Sequence, residues 1–180
     1  ELTGLLRLAA QLKVKQRRGV PHPLLQGRML GLLFQKPSTR TRVSFEAGMN
    51  QLGGQAMVLP MSDIQLSRGE SIADTAQVLS RYLDAIVLRT FDHAIAEEWA
   101  REATIPIING LTDQSHPCQA LADLFTLREH AGKLQGAKLA WVGDANNVAR
   151  SLAMGCGLLG VEFAVASPAG YDFDEGFLVN

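Results

Sequence analysis

The sequence predicts an α/β fold: a parallel sheet with helices on both faces, followed by the start of a second α/β domain. Three observations predict it. Short β-type runs alternate with segments of helical period along the chain, the order of a parallel sheet. Residues with chemistry gather just after the strands, where open α/β sheets place their ligands. The composition, 47% apolar and 19% charged over 180 residues, is that of a chain able to bury a core.

The elements follow in order. "RMLGLLF" (28–34) reads as the first buried strand, and Val43, Phe45, Ala47, Met49 and Leu52 then recur at helical spacing until Gly53-Gly54. "QAMVL" (55–59) is the next strand, and "PMSDIQLSRGE" (60–70) a polar loop. Ser71 can cap "SIADTAQVLSRYL" (71–83), whose Ile72, Ala76, Leu79 and Leu83 form one apolar face. Strand "AIVLR" (85–89), helix "HAIAEEWAREA" (93–103) and strand "IPIIN" (105–109) continue the alternation. "PCQALADLFTLREH" (117–130) is a helix with Pro117 in its first turn. "GKLQG" (132–136) reads as a linker. Beyond it lie strand "AKLAWVG", helix "NVARSLAMGCGLLG" and strand "VEFAVAS", one β-α-β step. The expected domains are 1–131 and 137–180, the second incomplete.

Composition narrows the function. A net charge of −1 offers no basic field for nucleic acid and no polybasic membrane patch. No apolar run approaches the roughly 18 residues that span a bilayer, and no signal-like segment opens the chain, so a soluble cytoplasmic protein is expected. Cys118 and Cys156 lack C-x-x-C spacing, so neither a disulfide framework nor a metal site is expected.

The densest chemistry lies in "PSTRTR" (37–42). A helix start has free N–H groups and a partial positive charge, which attract phosphate. Ser38, Thr39 and Thr41 add short donors, and Arg40 a forked cation for phosphate oxygens. A capped helix with surface arginines is the plainer reading. No nucleotide P-loop pattern occurs, so the pocket looks sized for a small phosphate compound. Arg89, ending an apolar strand, needs an anionic partner, either a ligand or a buried carboxylate. His116 is either structural or set to polarise a carbonyl oxygen near the phosphate, and Gln119 could hold a neighbouring amide. Cys118, without a histidine at suitable spacing, reads as helix packing. In "GDANNVARS" (143–151) one asparagine can cap the helix, leaving the other amide for a ligand. Gln65 and Arg68 lie in the polar loop and read by default as solvated.

Five stretches, "PSTRTRVSFE", "DIQLSRGESIADTA", "LRTF", "NGLTDQSHPCQALADL" and "GDANNVARS", together resemble the aspartate/ornithine carbamoyltransferase family, in its order and spacing, and the ornithine branch more closely. The resemblance implies an N-terminal carbamoyl-phosphate domain, a C-terminal amino-acid domain and a homotrimer. It puts Ser38, Thr39, Arg40 and Thr41 on the phosphate of carbamoyl phosphate, and Arg89 and His116 on the carbamoyl group. Gln119 lies near its amide nitrogen, Gln65 reaches the neighbouring subunit's site, and Asn147 meets L-ornithine. Arg89, His116 and Thr41 are the implied catalytic residues, with no metal and no cofactor. Alternatives are transfer to aspartate or a modified ornithine, or a non-catalytic phosphate-binding domain. Gln35 stands where the family usually has glutamate, and Arg150 where ornithine enzymes commonly have histidine. The family's later "D…SMG" and "HCLP" segments do not occur, so this chain alone is not expected to make citrulline efficiently.

Overall fold

The computed structural model describes residues 1–178; the last two residues of the expected second domain, 179 and 180, lie outside the described residues. The elements are α1 (Leu2–Arg17), β1 (Met29–Phe34), α2 (Thr39–Gln51), β2 (Gln55–Pro60), a 3₁₀ turn (Gln65–Arg68), α3 (Ile72–Leu79), β3 (Ala85–Arg89), α4 (His93–Glu102) and β4 (Ile107–Leu111). α5 (Pro117–Ala131), β5 (Lys138–Val142), α6 (Asn147–Leu159), β6 (Glu162–Ala166) and α7 (Glu175–Leu178) follow. They form two compact units, Ala10–Asp113 and the remainder.

In the first unit four parallel strands run in the order β2-β1-β3-β4. Alternation along β1 and β3 explains why both faces are covered, because successive side chains leave a strand on opposite sides. Leu33, Ile86 and Leu88 pack with Ala76 of α3 and with Ala96 and Trp99 of α4. Leu30, Leu32 and Val87 pack instead with Met49 of α2. The order reverses between β1 and β3. This is the topological switch point where such sheets open a crevice at the strand ends.

Two boundaries differ from expectation. β4 covers Ile107–Leu111 rather than 105–109. Pro106 has no N–H to give a ladder and serves only as acceptor for Ile86 N–H. At the other end the register shifts, with Leu88 opposite Asn109 but Arg89 opposite Leu111. Gly110 is the extra residue in this bulge, and a Cβ there would lie 3.0 Å from Val87 Cγ1. α3 stops at Leu79 instead of reaching Leu83; the chain goes on as a turn in which Arg81 and Tyr82 N–H bond three residues back, to Val78 and Leu79. α1 was not assigned from sequence. Its only fully buried residue is Leu6, so it has little apolar stripe to read.

The second unit holds the parallel pair β5-β6 and a core of Leu6, Ala120, Leu124, Leu152, Cys156 and Leu159. Arg128 Nη2 donates to the Leu6 carbonyl at 2.6 Å, fixing the start of α1 to α5. Gly155 lets α6 approach α5, since a Cβ there would come within 2.5 Å of Leu124 Cδ1.

Candidate functional site

In the first unit the switch point brings together two of the predicted strand ends, the start of α2 after β1 and Arg89 at the end of β3. Ser38 is extended at φ −156° and its hydroxyl accepts from Thr41 N–H at 3.3 Å, capping α2. That cap serves Thr41, while the N–H groups of Thr39 and Arg40, in the first helical turn, have no intrahelical acceptor. Phe34 pairs with Arg89 across β1 and β3, and Gln35 N–H donates to the Arg89 carbonyl at 2.8 Å. Arg89 is thus delivered beside α2, where its Nη1 lies 3.4 Å from Thr41 Oγ1.

The electrostatics of this arrangement are those of a site awaiting an anion. Arg89 is half-buried, and its Nε is buried without a hydrogen-bond partner. Burial, and then the charge of Arg40, pull the Arg89 guanidinium below its ordinary range. Neither arginine pairs with a carboxylate among the described residues. Two cations held together without a counter-ion repel each other, and a bound dianion reverses that sign. A cavity of about 680 Å³ opens beside the cap, lined by Ser38, Thr39, Arg42 and Glu46 among others, but not by Arg40, Thr41 or Arg89. A second cavity of about 630 Å³, bounded by Leu25, Phe45, Met49 and Ile108, contains none of the predicted residues.

Gln35 has a structural task that its neutral amide performs. Its Oε1 accepts from Thr90 Oγ1 at 2.6 Å and from Phe91 N–H at 3.4 Å, tying the loop after β1 to the end of β3. Thr90 is fully buried, so this bond satisfies a hydroxyl that has left water. Gln65 is exposed in the 3₁₀ turn, and its carbonyl accepts from Glu70 N–H at 3.2 Å.

The chain after β4 passes into the other unit, which contains His116, Gln119 and Asn147. His116 is the N-cap residue of α5, with φ −137° and no side-chain cap bond; its N–H donates to Ser151 Oγ at 2.8 Å. Gln119 Nε2 donates to Asp123 Oδ1 at 2.9 Å. Asn146 caps α6 by accepting from Val148 and Ala149 N–H, so Asn147 takes no part in that cap. Burial pushes the Cys118 thiol up and the Cys156 thiol to about 11, so neither is a ready nucleophile. No cluster of three or more His, Cys, Asp or Glu side chains able to hold a metal occurs among the described residues. No helix there is long and apolar enough to cross a membrane.

Arg150 is anchored locally: Nη1 bonds Asp174 Oδ2, and the guanidinium stacks 4.6 Å from the Phe177 ring centre. The Arg150 bond, and then Phe177 N–H, hold the Asp174 carboxyl below the usual carboxylate range. A depressed carboxyl stabilises the folded state above its unfolded value of about 3.9 and stops doing so as pH falls through the lower folded value. Acidification through that window is therefore expected to free Asp174–Phe177 from Arg150. Amide shifts of Phe177 followed against pH check this, and the transition should vanish in Asp174→Asn.

Ser151, Asp174 and the task of Gln35 were not found from sequence. Only the placement of Ser151 inside a helix, where serine is a mediocre former, could have drawn attention to it.

Comparison with known proteins follows this geometry. Residues 1–129 match the family model described as aspartate/ornithine carbamoyltransferase, carbamoyl-P binding domain. Residues 135–179 match its Asp/Orn binding domain. The chain is 58% identical to ornithine carbamoyltransferase of Anoxybacillus flavithermus over 97% of its own length and 56% of that protein. It is 54% identical to the Carboxydothermus hydrogenoformans protein of the same name, with the same coverage. The solved ornithine carbamoyltransferase of Pyrococcus furiosus superposes with TM-score 0.96 at 53% identity, over 99% of this chain and 57% of that one. The catalytic subunit of M. jannaschii aspartate transcarbamoylase gives 0.88 at 33%, over 99% and 60%. The chain thus spans a little over half the length of these relatives. An anion-ready helix start at the sheet's switch point and two family models matched in order lead to one conclusion: the chain belongs to the aspartate/ornithine carbamoyltransferase family.

Proposed function

We propose that the chain is the carbamoyl-phosphate-binding part, with the beginning of the amino-acid part, of an ornithine carbamoyltransferase. The observation that carries this is the unpaired Arg40–Arg89 couple beside the free N–H groups of Thr39 and Arg40. Ser38, Thr39, Arg40 and Thr41 take the phosphate group. Arg89, Thr41 and His116 stabilise negative charge on the carbamoyl oxygen, and the Gln119 carbonyl accepts from the carbamoyl nitrogen. Asn147 meets ornithine. The neutral side-chain amine attacks the carbamoyl carbon, the C–O bond breaks with its electron pair leaving on the phosphate oxygen, and the departing phosphate takes the proton that the nitrogen loses as citrulline forms. Electrons and protons balance without a cofactor.

The division into 1–131 and 137–180 is part of this proposal, supported by family models that meet between residues 129 and 135. A cytoplasmic homotrimer, with Gln65 reaching a neighbouring subunit's carbamoyl phosphate, follows from the family resemblance. Ornithine is favoured over aspartate by the names of relatives at 54–58% identity, against 33% for the aspartate enzyme. Parallel assays with ornithine and aspartate on the whole protein separate the two.

Calorimetric titration tests the carbamoyl-phosphate assignment. The chain should bind carbamoyl phosphate saturably, and Arg40→Ala should weaken it by about 30-fold or more, the worth of a charge-assisted hydrogen bond. Unchanged affinity in the variant would remove the assignment.

A further inference from the structure

The pairing of β3 with β4 is irregular just where Arg89 leaves the sheet, with Leu88 opposite Asn109 but Arg89 opposite Leu111. A bulge interrupts the ladder and bends the strand that carries it. The direction of a side chain beside it therefore needs other support. Past the bulge the backbones stay in contact: Thr90 N–H donates to the Leu111 carbonyl at 3.1 Å, and Asp113 N–H to the Phe91 carbonyl at 2.7 Å. His93, the first residue of α4, adds side-chain bonds to these. Its N–H donates to Asp113 Oδ1 at 3.0 Å, and its ring Nδ1 lies 2.9 Å from Thr112 Oγ1. Thr112 is fully buried, so its hydroxyl must find its partners inside the protein. A hydroxyl accepts as well as donates, and the contact serves either tautomer of the ring. On the other side of the imidazole, Nε2 faces Glu97 Oε1 at 3.9 Å. α4 is itself held on the sheet by Trp99, which packs with Leu33, Ile86 and Leu88. Only residues 90–92 separate Arg89 from His93, so a short segment joins the guanidinium to this clamp.

We infer that His93 is a positioning residue: by closing the start of α4 onto Thr112 at the end of β4, it fixes the strand end that presents Arg89 to carbamoyl phosphate. The inference rests on the role proposed above for Arg89. The guanidinium is weakly held at its own end, since its Nε has no hydrogen-bond partner and its bond to Thr41 Oγ1 is long at 3.4 Å. Its aim is therefore set from behind, through the backbone that His93 ties down.

NMR and calorimetry on the isotope-labelled chain and its variants test this. His93→Leu and Thr112→Val each remove the bond between ring and hydroxyl. His93→Asn keeps it, because the asparagine amide nitrogen stands as many bonds from Cα as imidazole Nδ1 does. The buried Arg89 Nε–H reports on the strand end without any ligand. In the leucine and valine variants its exchange with solvent should be about 10-fold faster, for one lost hydrogen bond. Carbamoyl phosphate affinity should fall by a similar factor. The asparagine variant should match the unmodified chain in both readouts. The double variant His93→Leu/Thr112→Val removes both partners, so its thermal midpoint should lie near the unmodified one. Its Arg89 exchange and its affinity should nevertheless stay impaired. If Thr112→Val does not fold, His93→Leu makes the same comparison from a half-exposed position. Unchanged Nε–H exchange in the leucine variant overturns the inference. So does an asparagine variant that behaves like leucine, or a double variant whose exchange recovers along with its midpoint. An unmodified chain that binds no carbamoyl phosphate overturns the carbamoyl-phosphate reading instead, while Arg89 exchange in the free chain still decides whether His93 holds that strand end.

Discussion

Arg89→Met should weaken carbamoyl phosphate binding by about 100-fold, the upper part of the range for hydrogen bonds to a charged group, and at the same time make the ligand-free protein more stable. The two signs have one origin. In the free protein Arg89 is partly desolvated, has a buried Nε without a partner, and faces the like charge of Arg40. Its side-chain bond to Thr41 Oγ1, at 3.4 Å, is long and returns little. Methionine keeps much of the stem that packs at the end of β3 and removes the charge. Thermal unfolding should therefore shift up by a few degrees, while calorimetry shows the binding loss. Such a trade is common where a site holds groups that only a ligand can satisfy. A variant that is less stable and still binds would mean that Arg89 is an ordinary structural arginine.

Trp99→Ala should be the most damaging core substitution, costing about 3–5 kcal/mol against a total stability on the order of 5–15 kcal/mol. Trp99 is fully buried on α4 and packs with Leu33, Ile86 and Leu88, the residues of β1 and β3 that lead into the anion pocket. Truncation leaves a cavity under the strand ends that deliver Gln35 and Arg89. Urea denaturation should show a midpoint lowered by more than any surface substitution produces. The indole Nε1 has no hydrogen-bond partner, so Trp99→Phe removes an unsatisfied donor along with part of the ring. It should cost roughly half as much or less. Equal losses for both variants would show that a contact specific to the indole, rather than ring volume, governs the site.

The parallel sheet was legible because each strand of the first unit is a short apolar run, and the helices between them have an apolar face of regular spacing. What periodicity could not show was the exact end of β4. There Pro106 removes a donor at one side, and the bulge at Gly110 adds a residue at the other. α1 escaped notice because it buries little. The candidate anion site was legible for a different reason: Ser38 to Thr41 are consecutive and stand together at a helix start. Arg89 stood out as a cation closing an apolar strand. Gln35 appeared only as a missing negative charge, yet its amide oxygen is what holds Thr90 and Phe91. Ser151 was invisible because its partner His116 belongs to another helix start, and no local spacing records a bond across that separation.

The start of α2 and the end of β3 are proposed to form one phosphate pocket. The most direct measurement is to titrate the isotope-labelled chain with carbamoyl phosphate and record which groups respond. The largest shifts are expected at the Thr39 and Arg40 amides, with a matching response from the Arg89 guanidinium Nε–H, all saturating at one concentration. Shifts confined instead to the residues around Leu25, Met49 and Ile108, or responses at Arg40 and Arg89 that saturate separately, would contradict it.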